Sequence, residues 1–104
     1  MNDELRKTQD LIRFECDAIR DMLVDKNRKY GNSAIHPMRV FSKADPMEQI
    51  NTRLDDKLSR IASAQDDDTE DPEFDMIGYL ILKRVAKHLQ RGENTTWREV
   101  EERR

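Results

Sequence analysis

The chain has 104 residues, of which 39% are charged and 36% hydrophobic, and its formal net charge is −3. A chain this short forms one domain, 1–104, whose thin apolar core is easier to sustain by association with other copies. The interleaved charges argue against the broad basic surface that duplex DNA requires, and a single cysteine excludes an internal disulfide.

The compartment follows from two further features. The opening residues, MNDELRK, have no apolar run behind them, so we expect no secretory signal. The longest apolar run, at 74–89, is too short and too mixed to cross a bilayer. The sequence therefore predicts a cytoplasmic protein without a membrane contact.

A long first helix is predicted over residues 3–30. Apolar side chains recur on one side of it at helical spacing, and Gly31 is placed to end it. The connection 31–45 is irregular because Pro37 disfavours helix at the preceding residue. Its apolar side chains predict that the connection packs against the helices. They are Ile35, Met38, Val40 and Phe41.

Two further helices begin with the same device, an aspartate cap followed by proline at the first helical position. They are predicted over 46–64 and 72–91, and Gly92 ends the second of them. A capping pattern from Thr96 predicts a short C-terminal helix over 97–103. No strand pattern is visible, so the predicted fold is all-α, a small bundle of three main helices plus a short fourth.

The stretch at 74–89, FDMIGYLILKRVAKHL, is apolar around most of the helix. Such a helix is usually buried or shared with a partner chain, so we expect the bundle to be completed by a homo-oligomer. One carboxylate, Asp75, interrupts this surface. Because an unpaired buried charge is costly, Asp75 requires either a lysine or arginine from another helix or a metal ion.

Polar side chains stand where a purely structural first helix would be apolar. Lys26, Asn27 and Tyr30 lie on or beside its apolar face. They either extend to solvent at the helix end or line a polar pocket that the connection closes. Arg39 and Lys43 of that connection would bring positive charge to the pocket.

The second helix carries cations beside its apolar stripe. Arg53, Lys57 and Arg60 line one flank, and Lys57 lies nearest the centre of the stripe. Exposed flanks joined by surface ion pairs are one explanation. The other is that Lys57 contacts an anion.

A magnesium site is a further hypothesis. Glu15, Asp55 and Asp75 place one carboxylate beside or within the apolar face of each main helix, and such oxygen ligands suit Mg²⁺. Helical metal sites generally have two ligands one turn apart, and Glu15 has no acidic neighbour on its inward side at that spacing. The histidines and the cysteine lack zinc-ligand spacing, and no phosphate-binding loop or nucleophile motif is present.

Three motifs of the chain are KNRKYGNSA at 26–34, DDKLSRI at 55–61 and DMIGYLIL at 75–82. Together they resemble a phage family, the nucleotide-modification-associated domain, which is related to the MazG-like nucleoside triphosphate pyrophosphohydrolases. The similarity spans about 12–90. The resemblance implies an oligomeric helical bundle that uses Mg²⁺ to cleave nucleotides to monophosphate and pyrophosphate. It also implies the host cytoplasm as the compartment.

The resemblance matches Asp75 with the acidic position that opens the third helix. It matches Lys26, Tyr30, Lys57 and Arg60 with polar positions that face the nucleotide. With the neighbouring candidates, the predicted nucleotide-binding set is Lys26, Asn27, Tyr30, Arg39, Lys43, Lys57, Arg60 and Tyr79. The family's paired glutamates on the first helix are missing here, and only Glu15 stands nearby.

Three functions therefore stay open. The first is a Mg²⁺-dependent nucleotide pyrophosphohydrolase, in which a metal-bound water attacks a phosphoryl group. The second is a non-catalytic anti-defence protein that sequesters a nucleotide signal. The third is a helical inhibitor that binds a host defence protein directly. The count of metal ligands favours binding over turnover.

Overall fold

A computed structural model describes residues 2–37, 41–63 and 70–92 of the chain. Three helices follow one another, α1 (Asp3–Tyr30), α2 (Pro46–Ala62) and α3 (Pro72–Gln90), and these ranges contain no strand. The predicted all-α class is confirmed. Helices α2 and α3 end slightly before the predicted residues. The predicted helix over 97–103 lies outside the described residues.

The helix boundaries are fixed by local hydrogen bonds. The Asp45 carboxylate accepts from the Met47 amide at 2.8 Å, and the Asp71 carboxylate accepts from the Phe74 amide at 3.0 Å. These side chains satisfy amides that have no partner within the helix, as their cap positions predict. Gly31 ends α1 with φ 64°, a left-handed conformation that glycine adopts without a steric penalty.

The main core lies between α2 and α3. Its buried side chains are Ile50 and Leu54 of α2, Ala86 of α3 and Ile35 of the connection. The burial of Ile35 confirms that this part of the connection packs against the helices. The same expectation is wrong for Phe41, which is 97% exposed because it stands just before α2 and outside this cluster. Met38 and Val40 lie outside the described residues.

Helix α1 contacts α3 through its second half. Ile19 is buried there, and Gly78 of α3 approaches α1 so closely that an added Cβ would lie 3.2 Å from the Met22 terminal methyl. The first half of α1 is exposed, including Leu5 and Ile12. Among the described helices, none is long and apolar enough to span a membrane. The second half of α1 therefore forms one wall of a space whose other walls are α2 and α3.

Candidate functional site

A pocket of about 470 Å³ opens between the second half of α1, the start of the connection and one side of the α2–α3 pair. Its size lies within the range of small-molecule sites in proteins. The lining combines apolar and aromatic side chains with a few charged and amide groups. The residues are Met22, Leu23, Lys26, Asn27, Tyr30, residues 31–35, Arg53, Lys57, Asp75, Gly78, Tyr79 and Leu82.

The pocket brings together much of the set predicted from the sequence. Lys26, Asn27 and Tyr30 of α1 line it, as do Lys57 of α2 and Tyr79 of α3. Three predicted residues are elsewhere. Lys43 is exposed and Arg60 is held in an ion cluster beside the pocket, whereas Arg39 lies outside the described residues.

That cluster joins α2 to the start of α3, and we call it the α2–α3 ion cluster: Lys57, Arg60, Glu70 and Asp75. The Lys57 ammonium lies 2.9 Å from a Glu70 oxygen and 3.4 Å from an Asp75 oxygen. Arg60 contacts the other Glu70 oxygen. Asp75 therefore pairs with a lysine from another helix. A basic residue of this kind was one of the two alternatives predicted for it, and a metal ion was the other.

The predicted magnesium ligands are not gathered in the described chain. Glu15 and Asp55 are exposed, and neither lines the pocket, whereas Asp75 does. Across residues 2–37, 41–63 and 70–92, no three acidic, histidine or cysteine side chains form a group that could hold a metal ion. The space between Glu70 and Asp75 is occupied by the ammonium of Lys57. The carboxylates of the described residues therefore do not form a donor set that fits Mg²⁺.

Two cations of the pocket have no such neutralising partner. Neither Lys26 nor Arg53 has a carboxylate within 4.0 Å among the described residues. They line different walls of the pocket, since Lys26 belongs to α1 and Arg53 to α2. Lys57 is offset by its own carboxylates, so among the described residues the uncompensated charge of the pocket is positive.

Arg53 was not among the residues predicted for the site. Its Nη1 donates a hydrogen bond to the Tyr79 hydroxyl at 3.3 Å, and its guanidinium carbon lies 5.8 Å from the centre of the Tyr79 ring. The sequence offered one signal: Arg53 precedes Lys57 by one helical turn and so lies on the same side of α2. The same spacing is equally expected for solvent-exposed residues on the side of α2.

Asn27 has a structural role at the end of α1. Its side-chain amide donates to the Asn32 side-chain oxygen at 2.7 Å and to the Gly31 carbonyl at 3.2 Å. These bonds fix the turn that carries the chain from α1 into the connection. Asn27 therefore shapes the rim of the pocket, and its amide hydrogens are already used.

The α2–α3 ion cluster should make stability depend on pH at both ends of the scale. The hydrogen bond from Lys57 lowers the pKa of Glu70 below 4.5, and the hydrogen bond to Glu70 raises the pKa of Lys57 above 10.5. The Glu70 contribution is complete above pH 4.5 and is lost as pH falls through its folded-state pKa. The Lys57 contribution is complete below pH 10.5 and is lost as pH rises through its folded-state pKa.

We expect Glu70→Gln to flatten the acid side of a profile of urea midpoint against pH. An unchanged acid side would contradict the assignment of this pH dependence to Glu70.

Removing the Lys57 charge should weaken the junction between α2 and α3. Lys57→Met keeps the apolar stem but leaves Asp75 without its cation and Glu70 with Arg60 alone. Because the Lys57 side chain is only 12% exposed, we expect the free energy of unfolding to fall by about 1–3 kcal/mol in urea titrations. Asp75→Asn should cost less, since Lys57 keeps its contact with Glu70. Arg20→Met removes two exposed ion pairs on α1 and serves as the control, with stability nearly unchanged. Equal stability of Lys57→Met and this control would argue against the junction.

Comparison with known proteins identifies no relative. No family model matches the chain, and neither the curated proteins nor the solved structures contain one that is similar to it. The resemblance to the phage nucleotide-modification-associated domain therefore stays a prediction from its three motifs.

Proposed function

We propose that this chain is a phage-type nucleotide-binding protein, and that the pocket between α1 and the α2–α3 pair holds a nucleotide or a nucleotide-derived small molecule. The observation that carries the proposal is the uncompensated positive charge of Lys26 and Arg53 in a pocket with aromatic walls. A phosphate group is the ligand part that this charge recognises. The aromatic walls suit a base.

The two cations supply complementary contacts. The Lys26 ammonium is a compact charge on a flexible stem, whereas the Arg53 guanidinium presents several donors in one plane. Charge-assisted hydrogen bonds of this kind to phosphate oxygens are stronger than those between neutral groups. A ligand with more than one phosphate oxygen can contact both walls at once.

The aromatic side chains lie at different depths. Tyr79 packs against the α2–α3 core, whereas Tyr30 is 68% exposed at the end of α1. An exposed tyrosine ring beside a pocket offers a flat surface on which a nucleobase stacks without regard to its identity. Tyr30 and Lys26 lie one turn apart on α1, so base and phosphate contacts come from the same helix.

The positions of the carboxylates favour nucleotide binding without hydrolysis. Of the three carboxylates suggested for Mg²⁺, only Asp75 lines the pocket, and it is paired with Lys57. Hydrolysis by the MazG-like route would need a metal site that this arrangement does not provide. Sequestration of a nucleotide signal, as in an anti-defence protein, needs only affinity. Association of the chain into a homo-oligomer is part of the same proposal.

The test is thermal unfolding with a panel of nucleotides, each measured with Mg²⁺ and with EDTA. At one hundred times the dissociation constant, a bound ligand stabilises the fold by about 2.7 kcal/mol. For a domain of this size we expect a rise in Tm of roughly 10 °C. The same shift with EDTA would support sequestration, whereas a shift that requires Mg²⁺ would support the enzyme. No shift with any nucleotide would overturn the proposal and leave direct inhibition of a host protein.

Lys26→Ala is expected to weaken nucleotide binding about 10- to 100-fold without loss of the fold. The change removes one charge-assisted contact, worth about 1.5–3 kcal/mol, at a helix position that tolerates alanine. Lys29→Ala is the matched control. It removes the same group three residues later, where Lys29 pairs with Asp25 at 3.2 Å and does not line the pocket. Calorimetric titration that gave equal affinities for the two variants would remove Lys26 from the site.

A further inference from the structure

Arg53 and Lys57 lie one turn apart on α2, yet they are in different electrostatic states. Lys57 contacts two carboxylates, Glu70 and Asp75, and its charge is offset within the chain. Arg53 has no carboxylate within 4.0 Å among the described residues, and the contacts found for it are with Tyr79. An anion that enters the pocket can interact with an Arg53 charge that no carboxylate offsets, whereas at Lys57 it competes with two carboxylates.

Tyr79 fixes the orientation of Arg53. Its ring is packed against the core cluster that contains Ile50 and Leu54, so the hydroxyl is held at a defined point on the pocket wall. Arg53 Nη1 donates to that hydroxyl oxygen at 3.3 Å. This bond uses one guanidinium N–H group, and the others can be donated to a ligand.

We propose that Arg53 is the principal phosphate-contacting residue of the pocket and that Tyr79 is its positioning residue. The site then selects a tetrahedral oxyanion that accepts several hydrogen bonds at once, such as the terminal phosphate of a nucleotide or a pyrophosphate group. Lys57 keeps a structural role in the α2–α3 ion cluster. This inference rests on the proposed nucleotide function and goes beyond it by assigning the phosphate contact.

The test is calorimetric titration of the full chain with two probes, inorganic pyrophosphate and the nucleotide that gives wild type its largest thermal shift. Arg53→Ala should weaken both about 10- to 100-fold, by the loss of a charge-assisted contact. Arg53→Lys should recover only part of the affinity, because lysine keeps the charge but not the planar fork. Arg13→Ala is the matched control, since Arg13 pairs with Asp10 on the exposed part of α1. We expect it to bind like wild type.

The role of Tyr79 needs a readout that a purely structural residue would not change. Tyr79→Phe keeps the ring and removes the hydroxyl, and it should weaken both probes about 3- to 10-fold. In the Arg53→Ala background the same change should have almost no further effect, because a positioning residue acts only through the group it orients. Additive losses would overturn the positioning role.

The remaining outcomes separate this inference from the function on which it rests. If wild type binds the nucleotide but Arg53→Ala binds equally well, the assignment of Arg53 is wrong and the proposed function stands. If wild type binds pyrophosphate alone, the oxyanion contact stands and the nucleotide assignment fails. If wild type binds neither probe, both are overturned. Circular dichroism of each variant establishes that the helices are intact.

Discussion

Ile50→Ala should cost this chain more stability than any single change at the pocket. Ile50 is 1% exposed at the centre of the cluster that joins α2, α3 and the connection. Removing a large aliphatic side chain from such a position costs about 2–5 kcal/mol, the sum of lost burial and of the cavity left behind. This loss is a large part of the free energy of unfolding of a domain, which is roughly 5–15 kcal/mol.

The measurement is the urea midpoint, with Ile12→Ala as a matched control. Ile12 carries the same side chain but is 58% exposed on the first half of α1, so an isolated chain should lose little from its truncation. Because Ile50 also supports Tyr79, we expect the Ile50 variant to weaken nucleotide binding as well as stability. If both variants lost the same stability at a protein concentration low enough for the chain to be monomeric, the core would not be where the structure places it.

The helix starts were predictable because their causes are local. Asp45 and Asp71 each precede a proline, and a cap followed by proline specifies a helix start wherever it occurs. The end of α1 at Gly31 was predictable for the same reason. The apolar character of the connection predicted the burial of Ile35 correctly. The same rule predicted burial of Phe41, which is exposed. Composition alone does not say which apolar residue of a loop reaches the core.

The partners of charged residues were harder to predict because they depend on tertiary packing. Helix α3 is apolar nearly all round, so its periodicity does not select the face that meets α2. Without that face, the partner of Asp75 could be named only by type, and Lys57 could not be distinguished from its neighbours. Glu70 contacts both Lys57 and Arg60, and no local sequence pattern indicates either contact. Arg53 could not be distinguished from a solvent-exposed residue on the flank of α2, because its contact with Tyr79 also depends on tertiary packing.

The described residues leave two apolar faces uncovered. On α3, four aliphatic side chains at a spacing of four residues are each about 40% exposed, and they are Ile77, Ile81, Val85 and Leu89. On the first half of α1, four large apolar side chains are 48–65% exposed, and they are Leu5, Leu11, Ile12 and Phe14. A helical segment without tertiary contacts is marginally stable in water. Both faces would be covered if the chain associates with itself, as the thin core predicts.

We therefore expect light scattering to give at least twice the chain mass of 12.4 kDa at micromolar concentration. Ile81→Glu should shift the population to monomer, because burying an ionised carboxylate in an apolar interface costs several kcal/mol. Gln90→Glu is the matched control, since it adds the same group and charge at an exposed position of α3 outside the four-residue stripe. A wild-type monomer with undiminished helicity would overturn the expectation.

Association and ligand binding should then be linked. Helix α1 provides Lys26 and Tyr30 to the pocket, and its first half lacks support within the single chain. Contacts that hold α1 in the oligomer would hold this wall of the pocket as well. By thermodynamic reciprocity, a nucleotide that binds the oligomer more tightly must also strengthen association by the same factor. We expect nucleotide affinity to rise with protein concentration in wild type and Gln90→Glu, and to be lower and independent of concentration in Ile81→Glu.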